Sequence, residues 1–82
     1  DPDDRDARFL LARLCHGPLD DPERARDLYG GLAGSPAAHA NHGALLRTAF
    51  DEPGAARERS ERALALDPDN ETAREGLAAL DE

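Results

Sequence analysis

The chain has no lysine, no methionine and no tryptophan, a single cysteine, and only three phenylalanine or tyrosine residues, Phe9, Tyr29 and Phe50. Each shortage removes a class of behaviour. One cysteine, Cys15, permits neither an intramolecular disulfide nor a cysteine-pair metal site. It is compatible with a reducing compartment, and a cytoplasmic location is the expectation. No stretch approaches the roughly 20 consecutive apolar residues of a membrane span, and no signal-peptide pattern opens the chain. Positive charge is outweighed: ten arginines face eighteen acidic residues, for a net charge of −8. That balance disfavours a nucleic-acid backbone or an anionic membrane surface as partner. The exclusive use of arginine reads first as a GC-rich coding bias and second as selection for bidentate anion contacts. There is no phosphate-cradling glycine loop, no nucleophile elbow and no basic–aromatic stripe. A non-catalytic chain with no cofactor is expected.

What is present is self-similarity. Asp1-Pro2-Asp3-Asp4, Ala7-Arg8, Leu11-Ala12 and Leu14 recur 66 positions later as Asp67-Pro68-Asp69-Asn70, Ala73-Arg74, Leu77-Ala78 and Leu80. A fixed period without gaps signals a repeat architecture, and 66 is about two units of a roughly 33-residue helical repeat. Eighty-two residues allow one small domain, and stacked helical hairpins suit that length because each unit needs only its neighbours. Abundant alanine favours helix and close helix–helix approach. The chain starts at Asp1 without methionine, in what looks like the tail of a preceding unit, so a piece of a longer protein or a processed product is expected.

Five helices follow from spacing and punctuation. The first covers about residues 4–16, with Ala7, Leu10, Leu11 and Leu14 as its apolar stripe and Gly17-Pro18 as its stop. Asp21-Pro22 caps and starts the second, which carries Ala25, Leu28, Tyr29 and Leu32 inward and runs to Gly34. Ser35-Pro36 repeats the device for the third, with Ala38, Asn41, His42, Leu45 and Leu46 inward. After the turn at Asp51-Glu52-Pro53-Gly54, the fourth runs to about Leu66 with Ala56, Ala63, Leu64 and Leu66 apolar. Glu58 and Arg62 form an i, i+4 pair on its polar face. Asp67-Pro68-Asp69-Asn70 turns into a short fifth helix with Ala73, Leu77 and Leu80. Short connections make neighbours antiparallel hairpins. One repeat spans about 4–34, a second about 35–68, and a capping or truncated third-unit helix about 70–82.

The stretch Ala63-Leu64-Ala65-Leu66-Asp67-Pro68-Asp69-Asn70 resembles the close of a helix B in the tetratricopeptide repeat family. The family's Leu-Gly pair reads Leu11-Ala12, His42-Gly43 and Leu77-Ala78. Its Ala-x3-Phe reads Ala25-x3-Tyr29 and Ala56-x3-Ser60. The helix-A aromatic position holds Arg8, His39 and Arg74, and the small residues stand 31 and then 35 apart. The resemblance covers essentially the whole chain. It implies an all-α fold, a short right-handed solenoid of two antiparallel hairpins plus a C-terminal helix, acting as a protein-interaction module. Its concave groove would be lined by helix A: Asp6, Phe9, Arg13 and His16, then Ala37, Ala40, Asn41, Ala44, Arg47 and Thr48, then Thr72, Glu75 and Ala79. Phe9, Arg13, His16, Asn41, Ala44 and Arg47 are the expected peptide contacts. Asn41 would meet ligand backbone, and the arginines an acidic side chain or free C-terminal carboxylate.

Other groups have plainer readings. His39 and His42 stand at i, i+3 without an obvious third metal ligand, unless His16 or Cys15 approaches. By the resemblance they fill aromatic and core positions, where protonation below about pH 6.5 would loosen the hairpin. Cys15 falls at an aromatic position and reads as a buried structural thiol. The acidic clusters at residues 1–6 and 20–23 lack the calcium-loop pattern. The last helix leaves its Leu77/Leu80 side without a following helix, so the second expectation is a structural segment that self-associates or stacks within a longer array through that face, or docks onto a parent enzyme.

Overall fold

A computed structural model describes residues 4–80. Residues 1–3 and 81–82 lie outside the described set, and with them the start of the first repeat copy and the end of the expected 70–82 helix. Within it the chain is all-α: α1 (Arg5–His16), α2 (Pro22–Gly30), α3 (Pro36–Thr48), α4 (Pro53–Leu66) and α5 (Glu71–Leu80). The Cα envelope is a slab of 39 × 25 × 16 Å.

The punctuation acts through specific hydrogen bonds. Asp4 Oδ1 accepts from the Asp6 and Ala7 amides at 2.9 and 3.3 Å, opening α1. Ser35 Oγ accepts from the Ala38 amide at 3.2 Å, opening α3. Asn70 Oδ1 accepts from the Ala73 amide at 3.0 Å, opening α5. Each satisfies a helix-end donor that the first turn leaves bare. These caps stand 31 and 35 positions apart, the same offsets that separate Ala12, Gly43 and Ala78. Proline fills the first helical position of α2, α3 and α4, where a missing N–H costs nothing.

The turns inside the two hairpins agree in backbone detail, although α2 has 9 residues and α4 has 14. Asp20 and Asp51, 31 positions apart, both take left-handed backbone, with φ of 48° and 51°. Aspartate tolerates that region better than most residues. In each turn the following amide reaches back to the preceding helix: Asp21 N–H donates to Cys15 O at 2.8 Å, and Glu52 N–H to Leu46 O at 2.9 Å. The buried residues of α2, Ala25 and Tyr29, have counterparts in α4, Ala56 and Ser60, and Leu32 beyond α2 corresponds to Ala63; all six are buried.

α1 packs on α2 and meets α3 only marginally, whereas α3 packs on α2, α4 and α5, and α4 on α5. One core joins Ala12, Cys15, Ala25, Tyr29, Leu32, Ala38 and Leu45, edged by Phe9, Leu11, Leu28 and Phe50. A smaller one joins Ala40, Ala63 and Ala73, edged by Leu64. Arg62 Nη2 meets Glu58 Oε1 at 2.9 Å on the exposed side of α4, a pair worth a few tenths of a kcal/mol.

Four expectations need correction. The stripe Ala7, Leu10, Leu14 does not face the core: all three are exposed, and Leu11 is half-buried. α1 buries Ala12 and Cys15 instead, because α1 has two apolar faces and α2 takes the one whose small residues admit Tyr29. α2 ends at Gly30 rather than Gly34. Gly31 N–H bonds to Leu28 O and Leu32 N–H to Tyr29 O, at 3.2 and 3.0 Å, tightening the chain out of the helix at a pair of glycines. Leu32 is still buried, but from the turn. Ala40 is buried in the α3–α4–α5 core rather than lining a groove, and Leu66 of α4 is exposed.

Candidate functional site

The first turns of α1 and α3 stand apart, and the turn between α2 and α3 passes behind them. The result is a cleft of about 320 Å³ lined by Arg5, Asp6, Phe9, Leu32, Ser35 and Ala37. Phe9 and Leu32 supply an apolar floor; Arg5, Asp6 and Ser35 supply polar groups. Asp6, Phe9 and Ala37 belong to the helix-A surface expected to bind. Arg5, Leu32 and Ser35 were not foreseen. Leu32 reaches the cleft because α2 stops at the glycine pair, and that early stop is what the spacing of apolar residues hides.

An aromatic cluster backs the cleft. The Phe9 and Tyr29 rings lie 6.1 Å apart, tilted by 58°. His16 meets Tyr29 edge-on, with Nδ1 3.4 Å from the phenol oxygen. His42 stacks on Tyr29 at 6.2 Å and 27°. Burial raises the Tyr29 pKa, opposed by the nearby Arg13 charge and reinforced by Cys15. Burial lowers that of His16. His42 is pushed down to about 4, first by burial and then by unfavourable electrostatic interaction with Arg59, His39 and Arg26. Its Nδ1 is buried with no hydrogen-bond partner. A neutral ring is the form this environment accepts.

The remaining expected contacts are distributed along the helices. Arg13 is exposed, with its guanidinium carbon 6.0 Å from the Phe9 ring centre. His16 is turned to Tyr29. Asn41, Ala44 and Arg47 are half-buried on α3, and Arg47 Nε is buried without a hydrogen-bond partner. Phe9 is the member of the set that lines the cleft. An unforeseen cation–π contact places the Arg26 guanidinium carbon 4.3 Å from the Phe50 ring centre, tying α2 to the end of α3.

His39 is held in a way that leaves it unsuited to a metal. Nε2 lies 2.7 Å from Ala33 O, and since a carbonyl only accepts, Nε2 carries the proton. Nδ1 then accepts from Arg59 Nη1 at 3.5 Å. Among the described residues no group of three or more histidine, cysteine or acidic side chains is placed to hold a metal ion. Cys15 is 1% exposed, in the larger core. A second cleft, of about 280 Å³, opens beside His39, between Ala33, Arg62, Ala65 and Leu66.

No protein family, curated protein or solved structure matches this chain.

Proposed function

We propose that the chain is a non-catalytic protein-interaction module of the tetratricopeptide type, and that it holds an extended peptide across its A helices. The observation that carries this reading is the cleft at Phe9. Its volume of about 320 Å³ is that of a small ligand pocket, and its composition, an apolar floor with a few polar groups, suits one anchoring side chain. Three helix-A residues named by the resemblance, Asp6, Phe9 and Ala37, line it. Arg5 beside the floor and Arg13 one turn beyond Phe9 favour an acidic side chain or a free C-terminal carboxylate next to the anchor. The internal agreement of the two hairpins supports a repeat module, whose use is to present a surface rather than a reactive group.

The test is binding to a peptide library displayed with free and with amidated C-termini, beside an Ala37→Glu variant. Ala37 is exposed in the first turn of α3, so glutamate there leaves the helix intact while it narrows the cleft and repels acidic ligands. Selected peptides should carry an apolar residue near an acidic group or the C-terminus, and should lose about tenfold or more in affinity for the variant. Peptides that bind both proteins equally, or no peptide binding near millimolar concentration, would sink the reading.

A further inference from the structure

Three helices begin on equivalent caps, Asp4, Ser35 and Asn70, so their faces can be compared position by position. On α3 the positions after the cap place Ala38 and Leu45 in the core shared with α2. On α5 the corresponding residues are Ala73, fully buried, and Leu80, half-buried; Gly76 between them is buried as well. On α1 the same positions are Ala7, Leu10 and Leu14, and all are exposed, Leu10 at 56% and Leu14 at 40%. Leu19, at 59%, is held next to them by its amide, which donates to Leu14 O at 2.8 Å. Of the four large apolar side chains exposed among the described residues, Leu10 and Leu14 lie on the outer face of α1 and Leu19 follows just beyond its end. Nothing among the described residues covers that face.

We infer that this face seats a second copy of the chain, α1 against α1 in antiparallel fashion, with the two-fold axis near Leu10. The residue order supports this occupant. Asp6, Ala7, Leu10, Arg13 and Leu14 lie on one side of the helix. Reversed about Leu10, Leu10 meets Leu10, and within one helical rise the small Ala7 of one copy comes beside the large Leu14 of the other and Asp6 beside Arg13. The helix is thus complementary to itself in size and in charge, which is what an isologous interface requires. Both charges are at the rim, where opposite signs set register and offset part of the repulsion between two chains of net charge −8.

The other arrangement open to a repeat chain, head-to-tail stacking with α1 taking the seat that α5 occupies, is blocked by the same comparison. Leu10 stands where α5 has Gly76, and even a Cβ at Gly76 would lie 3.1 Å from Ser60 Oγ. A leucine there would press its larger side chain against Ser60. The contact therefore closes as a pair rather than running on as a filament.

The experiment is sedimentation equilibrium on the full chain and three variants, Leu10→Glu, Arg13→Glu and the swap Asp6→Arg/Arg13→Glu, from about 10 µM to about 1 mM. All three positions are exposed, and circular dichroism checks that helicity is kept. The parent chain should rise with concentration from 8.8 kDa to twice that mass and no further. Leu10→Glu should stay monomeric. Arg13→Glu should weaken the dimer about tenfold by setting like charges opposite one another, and the swap should return it to within about threefold of the parent. A parent chain that stays monomeric throughout overturns the inference. So does a dimer indifferent to Leu10→Glu, a swap that fails to restore, or a mass that climbs past the dimer.

Discussion

Replacing Gly43 with alanine tests the tightest glycine position in the fold. Gly43 sits where α3 crosses α4. A Cβ built there lies 2.9 Å from Ser60 Oγ, 3.1 Å from the Ala56 carbonyl oxygen and 3.5 Å from Arg59 Cβ. With room for the methyl the change would help, by about 1 kcal/mol of helix propensity and about 0.8 kcal/mol for its burial. Against this stands overpacking, about 1–3 kcal/mol for an added carbon in a tight core. The upper end applies because one close atom belongs to backbone and cannot rotate away. The net expectation is a loss of about 1 kcal/mol, or about 4–8 °C in Tm for a domain of this size. Gly76 provides the control, since its Cβ would meet only Ser60 Oγ, at 3.1 Å. Gly76→Ala should be close to neutral, and in a Ser60→Ala background it should stabilise by about 1 kcal/mol. Ser60→Ala should help Gly43→Ala only in part, because the Ala56 carbonyl remains. Thermal and urea melts followed by circular dichroism give all the values needed. A higher Tm for Gly43→Ala in the parent background, or equal relief of both glycine variants by Ser60→Ala, would refute the steric argument.

Two further outcomes follow from buried groups. His42 has its pKa held at about 4 in the fold against 6.5 in the free residue, so the unfolded chain takes up its proton first. Stability is therefore complete above pH 6.5 and is lost as pH falls towards about 4, where the loss levels off at about 3 kcal/mol. His16 shifts in the same direction and adds to the effect. Comparing Tm at pH 8 and pH 5, the parent should fall further than a His42→Leu variant; equal falls would show that His42 is not responsible. The thiol of Cys15, 1% exposed, should react with a disulfide-exchange reagent at least about a hundredfold more slowly in the native chain than in denaturant. Prompt reaction in native buffer would mean that the α1–α2 hairpin opens readily.

Much of the helix order was legible because it is written in local chemistry. Asp21-Pro22, Ser35-Pro36 and Asn70 each act within three residues of where they stand, so cap and helix start can be read directly. The buried Ala25, Tyr29 and Leu45 follow from the same short-range periodicity. What escaped was decided by partners. α1 carries two apolar faces, and periodicity cannot say that the one with Ala12 and Cys15 would win over the one with Leu10 and Leu14, because α2 makes that choice. Ser60 is not among the apolar residues that the spacing of α4 singles out, and the room for it appears only when Gly43 and Gly76 are brought together from α3 and α5. The Phe9 end of the cleft was visible as a helix-A position. Its other wall, Leu32 and Ser35, depends on where α2 stops, and two consecutive glycines end a helix without announcing which of several later breaks the chain will use.

The matching left-handed steps at Asp20 and Asp51 bear on how such a chain can change length. At both places the backbone leaves one helix, turns on an aspartate and enters the next through a proline one residue past the cap. Two points 31 positions apart thus present the same direction of travel and the same amide-to-carbonyl closure. A recombination joining one point to the other would unite ends that already fit, and would add or remove one helix pair without bending either junction. Loss or gain at any other spacing would have to build a new turn. The hairpin is therefore the unit that could be gained or lost with both junctions chemically intact.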